Sequence, residues 1–247
     1  MGGLINYSAL PFTVRDNIVT SQRLAWKRLA APGTWWDGTM RVAIASEARQ
    51  ARHCKFCAAR REALSSQAIH GQHDSKGLLS DALTEVIHRV VTDQSRLTKA
   101  FYTTALKSGI SDGEYVETIG VIATVIAIDG FTRAIGLPEF ALPGPKPGEP
   151  SHHRPLGAKT DRAWVPTVSP EDISEAEASL YDGLAGANIH RALSLVPAET
   201  TGFFDIDAVQ YLPDAQLRDY GTEYRNLTHV QIELLAARVS ALNQCVY

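Results

Sequence analysis

The chain has 247 residues, 45% of them hydrophobic and 21% charged, a composition that supports a buried core. Its net charge of -3 and the absence of Lys/Arg clusters interleaved with aromatics exclude a nucleic-acid footprint. Three cysteines, in a sequence that opens with neither a basic nor an apolar leader, point to a reducing cytoplasm, where paired thiols serve catalysis or metal binding more often than structure.

In chain order, Met40, Ile44, Ala48 and Ala51 recur at three- and four-residue steps, and Ala58, Ala59, Ala63 and Leu64 carry the pattern on. The spacing predicts a helix through Cys54-Lys55-Phe56-Cys57, which would hold the two cysteines about 5 Å apart, inside the disulfide window. No β-rich run precedes the pair, which separates it from the thioredoxin arrangement. Arg52, His53, Lys55, Arg60 and Arg61 make the neighbourhood electropositive and favour thiolate. Cys57 is read as the nucleophile that a peroxide oxidises to sulfenic acid, and Cys54 as the thiol that resolves it to a disulfide.

Residues 78–91 place Leu79, Leu83, Val86, Ile87 and Val90 on one helical stripe, and a second helix follows over 97–106. Glu85 and His88 share a face there, so Glu85 is expected to orient His88, and His88 to take a proton from a thiol across a helix pair. A rival reading takes Cys54, Cys57, His70 and His73 as zinc ligands, with Asp74 adding an oxygen, although the intervening AARREALSSQAI lacks the landmarks of a zinc finger. Gly109 is a C-cap candidate, and Ser111-Asp112 with Glu114 opens a helix to about Gly136. Its apolar stretch, Thr118 to Ile128, is about half a bilayer span and is bracketed by Glu117 and Asp129, which marks a core helix rather than a membrane segment.

Five prolines in PGPKPGEPSHHRP make residues 142–159 a linker between segments 1–141 and 160–247. Beyond it, helices are expected at Ser169-Pro170-Glu171-Asp172, at Asn188 to Leu195 and from Thr228 onward, the last with Ile232, Leu235, Ala236, Val239 and Leu242 on its apolar face. The fold class is all-α. Aligning Cys54 with Cys245 superposes RVAIASEARQARHC on IELLAARVSALNQC, which predicts that the two segments are related.

The CxxC helix, the SGISDGEYVE segment and the closing FTRAIGLP, from about Arg41 to Gly136, resemble the alkylhydroperoxidase D and carboxymuconolactone decarboxylase superfamily, especially its peroxidase-related members. A second match runs from about Asn188 to Tyr247 through NIHRALSLVPAE and THVQIELLAARVSALNQC. The resemblance implies an all-helical bundle in a homo-oligomer of at least two chains. It also implies a peroxide substrate, an unidentified dithiol reductant, no organic cofactor and a Glu–His proton relay beside the CxxC. The family's spacing, Glu, eleven residues, Cys, two residues, Cys, three residues, His, puts Val42 and Arg61 at the relay positions of the first half. Glu233 and Cys245 keep the spacing in the second half, which stops at Tyr247, one residue before the second cysteine is due. The candidate catalytic set is therefore Cys57 and Cys54, with His88 and Glu85 as substitutes for the missing relay, together with Glu233 and Cys245. Asn243 is a candidate cap for a new helix at Cys245, and no C-cap signal follows it. The ending is read as a second repeat that has decayed or been cut short, or as one expected to continue through a selenocysteine after Tyr247. Lactone decarboxylation does not require paired cysteines, so the pair argues against it. The alternative to an enzyme is a helical oligomer or redox sensor whose CxxC is structural or binds zinc.

Overall fold

A computed structural model describes residues 5–245; Val246 and Tyr247, and with them the expected continuation of the chain, lie outside the described residues. Among these residues the regular structure is helical, and one antiparallel pairing, Lys159 with Thr167, is the sole extended contact.

Helical spacing of apolar residues dictates the first layer. α1 (Asp16–Ala30) buries Ile18, Ala25, Trp26 and Leu29. α2 (Gly38–Ala51) starts where Asp37 accepts the Met40 amide at 2.8 Å, a side-chain N-cap. Ile44, Ala45 and Ala48 have no exposed surface, and the small alanines let neighbouring helices approach α2 closely. The helix expected to run on through the cysteines instead ends at Ala51. Polar Arg52 and His53 interrupt the apolar stripe, and the chain turns, with Cys54 N–H donating to the Ala51 carbonyl. α3 (Lys55–Glu62) then begins afresh with Cys54 as its N-cap.

α4 (Asp81–Thr92) is capped by Ser80, α5 (Lys99–Lys107) by Thr98, and α6 (Asp112–Ala134) by a capping box between Ser111 and Glu114. Gly109 and Gly136 follow α5 and α6 at φ +98° and +80°, the left-handed conformation that ends helices at glycine. α6 is long and apolar enough to cross a membrane by length and composition. Here it buries Val121, Ile122, Val125 and Ile128 in the core, and its Asp129 accepts from Arg49 at 2.7 and 3.0 Å.

In the second half, the helix expected at 169–172 is a single 3-10 turn, Pro170–Asp172. The one expected over 188–195 shrinks to α7 (Asn188–Arg191), and Pro197 opens α8 (Pro197–Gln210) at the position that tolerates a missing N–H. α9 (Asp214–Leu217) and α10 (His229–Leu242) are the last helices among the described residues. Leu195, Val196 and Ile206 join the same hydrophobic cluster as Trp26, Ile44 and Val125, so both halves share one core. Residues 142–159, read as the linker, lie as a strap hydrogen-bonded to the α1–α2 turn. Lys146 N–H donates to Ala30 at 2.7 Å, His152 N–H to Thr34 at 2.7 Å, and Trp26 Nε1 to Ala141 at 3.0 Å, which fixes the strap across the α1–α2 turn.

α10, aligned with α2 in the sequence, differs from it in burial. Val230, Leu234, Leu235, Val239 and Leu242 are exposed, and only His229 in the helix is buried. Its end is also capped, contrary to expectation. Gln244 takes φ +54°, its N–H donates to Ala241 at 3.2 Å, and Cys245 N–H donates to Ser240 at 3.0 Å, the paired bonds of a Schellman motif. Asn243 therefore closes α10 and starts no new helix; the motif was hidden because Gln stands where glycine is usual.

One ion cluster joins α2, α6 and α8. The buried Arg41 guanidinium lies between Glu117, within contact distance, and Glu199 at 2.7 Å, and Glu117 also accepts the Trp35 N–H at 2.5 Å. Burial holds the Glu117 carboxyl above its ordinary range, Arg41 pulls it down, and the charge of Glu199 adds to the rise. Arg41→Met should leave two carboxylates facing each other in the core and cost about 3–5 kcal/mol in urea unfolding at neutral pH. Because the folded pKa of Glu117 lies above its unfolded value, the variant should recover stability as pH falls through that folded value. An unchanged urea midpoint at neutral pH would contradict this role for the cluster.

Candidate active site

The start of α3 shapes the environment of both cysteines. As N-cap, Cys54 places its sulfur over unpaired backbone donors, accepting from Cys57 N–H at 3.5 Å and from Asp74 N–H at 3.4 Å. Asp74 is held there by its own carboxylate, which accepts the Lys55 N–H at 2.8 Å. Cys57 sits in the first turn of α3, and its sulfur meets Nδ1 of His88 at 3.1 Å and Nδ1 of His73 at 3.4 Å. His73 Nδ1 also lies 3.7 Å from the Cys54 sulfur.

Each imidazole is backed by a different carboxylate. His88 Nε2 meets Glu47 Oε1 at 2.8 Å, and the other Glu47 oxygen accepts the Lys76 N–H at 2.9 Å. Glu47 and His88 both have 0% exposure, so this contact between α2 and α4 is sealed from water. His73 Nε2 meets Glu85 Oε2 at 2.7 Å, and Arg60 holds both oxygens of Glu85 at 2.8 Å.

These surroundings split the four titrating groups into two pairs. Burial tends to raise the Cys54 thiol, but the two backbone N–H groups and His73 outweigh it, and the group lies below its ordinary value. Burial pushes Cys57 up to about 12, and the neighbouring Cys54 adds to the rise. Burial likewise pushes His88 down; Glu47 opposes this, and the nearby charge of His73 reinforces it. For His73, burial is outweighed by Glu85 and Cys54, and the imidazole lies above its ordinary value. These directions favour negative charge on Cys54 over Cys57 and a proton on His73 over His88.

The pairing differs from the one expected in two places. Glu85 does share a helix with His88, but it faces His73 and Arg60 at the edge of the site, while His88 turns inward toward α2 and finds Glu47. Glu47 and His73 are the residues missed as members of the proton network. Glu47 had one readable signal, a lone acid among the alanines of an apolar helix face two turns before Cys54. Of the zinc set Cys54, Cys57, His70 and His73, three converge, but His70 is exposed and its place is taken by His88. Glu233 accepts from Tyr211 Oη at 2.5 Å on α10, and Cys245 is exposed; neither is brought to the cysteine pair. Both thiols of the pair are buried, and a cavity of about 400 Å³ lined by Arg60, Arg89 and Phe101 reaches only as far as Glu85.

No protein-family model, curated protein or solved structure matches this chain.

Thiolate absorbance separates the two sulfurs. In a Cys245→Ser background, Cys57→Ser should leave a thiol that ionises below the ordinary 9.0, whereas Cys54→Ser should leave one that ionises above it. The reverse order would contradict the placement of the negative charge on Cys54.

Proposed function

We propose that the chain is a thiol oxidoreductase that reduces small peroxides through a dithiol–disulfide cycle at Cys54 and Cys57, the activity implied by its resemblance to the alkylhydroperoxidase D superfamily. The observation that carries this reading is the convergence of both thiols on two imidazoles, each held by its own carboxylate. Nucleophilic sulfur chemistry needs a thiolate, a proton donor for the leaving oxygen and a base for the second thiol, and the four groups supply all three.

The roles follow from the charges and exchange the two cysteines relative to the sequence expectation. The Cys54 thiolate attacks the distal peroxide oxygen, the O–O bond breaks, and the alkoxide or hydroxide leaves with a proton from His73. Cys54 becomes a sulfenic acid. Cys57 then gives its proton to Nδ1 of His88, with Glu47 stabilising the imidazolium, and its sulfur displaces hydroxide from Cys54. That hydroxide takes the His88 proton and leaves as water. One peroxide is reduced by two electrons, and one disulfide forms. An external dithiol returns it to the reduced state, and no organic cofactor enters.

Burial of both sulfurs favours hydrogen peroxide and small organic hydroperoxides over bulky ones. Assembly belongs to the same reading: the apolar face of α10 is exposed along Val230, Leu234 and Val239, and the same face of a second copy would cover it. Sedimentation should give at least a dimer, which Leu234→Glu with Val239→Glu should dissociate.

Turnover tests the chemistry. Cys54→Ser and Cys57→Ser should each abolish peroxide consumption coupled to dithiol oxidation. Glu47→Gln should slow it about 10²-fold or more by removing the charge behind His88. Parent-like turnover by either cysteine variant would overturn the proposal.

A further inference from the structure

The donor atoms of Cys54, Cys57, His73 and His88 all lie within 4.8 Å of one another. A tetrahedral zinc site with Zn–S of about 2.3 Å and Zn–N of about 2.0–2.1 Å has S···N edges of about 3.5 Å. Three of the four S···N edges lie at 3.1, 3.4 and 3.7 Å and bracket that value. Both imidazoles present Nδ1 to the sulfurs and direct Nε2 at a carboxylate, Glu47 or Glu85. That outer contact fixes which nitrogen is free to ligate and raises its basicity, as in carboxylate–histidine–zinc arrangements. Two backbone N–H groups on the Cys54 sulfur would further temper thiolate charge. The set is also closed, with both sulfurs buried, which suits four protein ligands and no open position.

We infer that the reduced protein binds one zinc-class divalent cation through Cys54, Cys57, His73 and His88, and that the ion pins residues 63–80 to α3 and α4. Two thiolates neutralise the dication, and Glu47 and Glu85 carry the outer hydrogen bonds. The loop 63–80 holds only the short turn Ser66–Ala68, and His73 is its contribution to the cluster. Because the ion occupies both sulfurs, the loaded protein cannot form the Cys54–Cys57 disulfide, so metal and peroxide compete for one site. The inference needs only the reduced thiols and is independent of peroxide turnover.

The test uses the full chain, reduced and stripped with a chelator, then titrated with Co²⁺ alone. Binding should saturate at one equivalent with thiolate-to-cobalt charge transfer and the intense visible bands of tetrahedral coordination, and one equivalent of Zn²⁺ should erase both. His73→Ala, on the loop and outside the helical core, should weaken Co²⁺ at least about tenfold and alter the visible bands; Glu47→Gln should weaken it about 10–100-fold with charge transfer retained. Cys245→Ser should change nothing. Absence of thiolate charge transfer, or a His73→Ala spectrum and affinity equal to the parent, would overturn the site. Peroxide-driven disulfide formation, followed in the same metal-free samples, reports on the redox reading separately.

Discussion

The Glu47 carboxyl group has no exposed surface and ties α2 both to α4 and to the loop before it. A carboxyl group buried without partners costs several kcal/mol, and two partners satisfy the oxygens of Glu47, the His88 imidazole and the Lys76 amide. Those two bonds reach from α2 to α4 and to the loop before it. They set the distance between the helices, hold residues 63–80 against the bundle and point Nδ1 of His88 at Cys57. The geometry at the sulfurs therefore follows from solving an electrostatic problem elsewhere.

The same helix carries a second buried charge. Arg41 joins α6 and α8 through Glu117 and Glu199, while Glu47 joins α4 two turns later. The alanines between them leave room for close packing, so α2 is a narrow rod whose specificity lies in two polar contacts. Its end matters as much. Because the chain turns at Arg52 and His53, Cys54 meets unpaired N–H groups instead of the carbonyls of a continuing helix. A continuous helix would have given the two thiols similar surroundings; the break makes one acidic and drives the other up to about 12.

Local signals were legible in the sequence and tertiary ones were not. The Ser111–Glu114 capping box, Gly109, and the stripe of α4 follow from rules that act within a few residues, and the structure repeats them. α1 and α8 were not expected: α1 buries a polar Gln22 on its apolar face, and α8 holds Thr200, Thr201 and Gly202, so burial overrides weak propensity in both. The anchoring of the proline-rich linker was not legible, because its acceptors belong to residues 30–34 and its composition says nothing about them. The helix face of His88 was legible, and the structure brings its Nδ1 to the Cys57 sulfur. Its carboxylate was assigned to the near neighbour Glu85, while the actual partner lies 41 positions away in the chain, beyond any periodicity argument.

What the site does rests on whether its two sulfurs react with each other. The direct measurement is mass spectrometry of the metal-free, fully reduced chain after one equivalent of hydrogen peroxide, with free thiols alkylated and the protein digested. The account predicts one new linkage, Cys54 to Cys57 within the same chain, with Cys245 still alkylated. A pair that remains fully alkylated, or oxidation confined to Cys245, would contradict it.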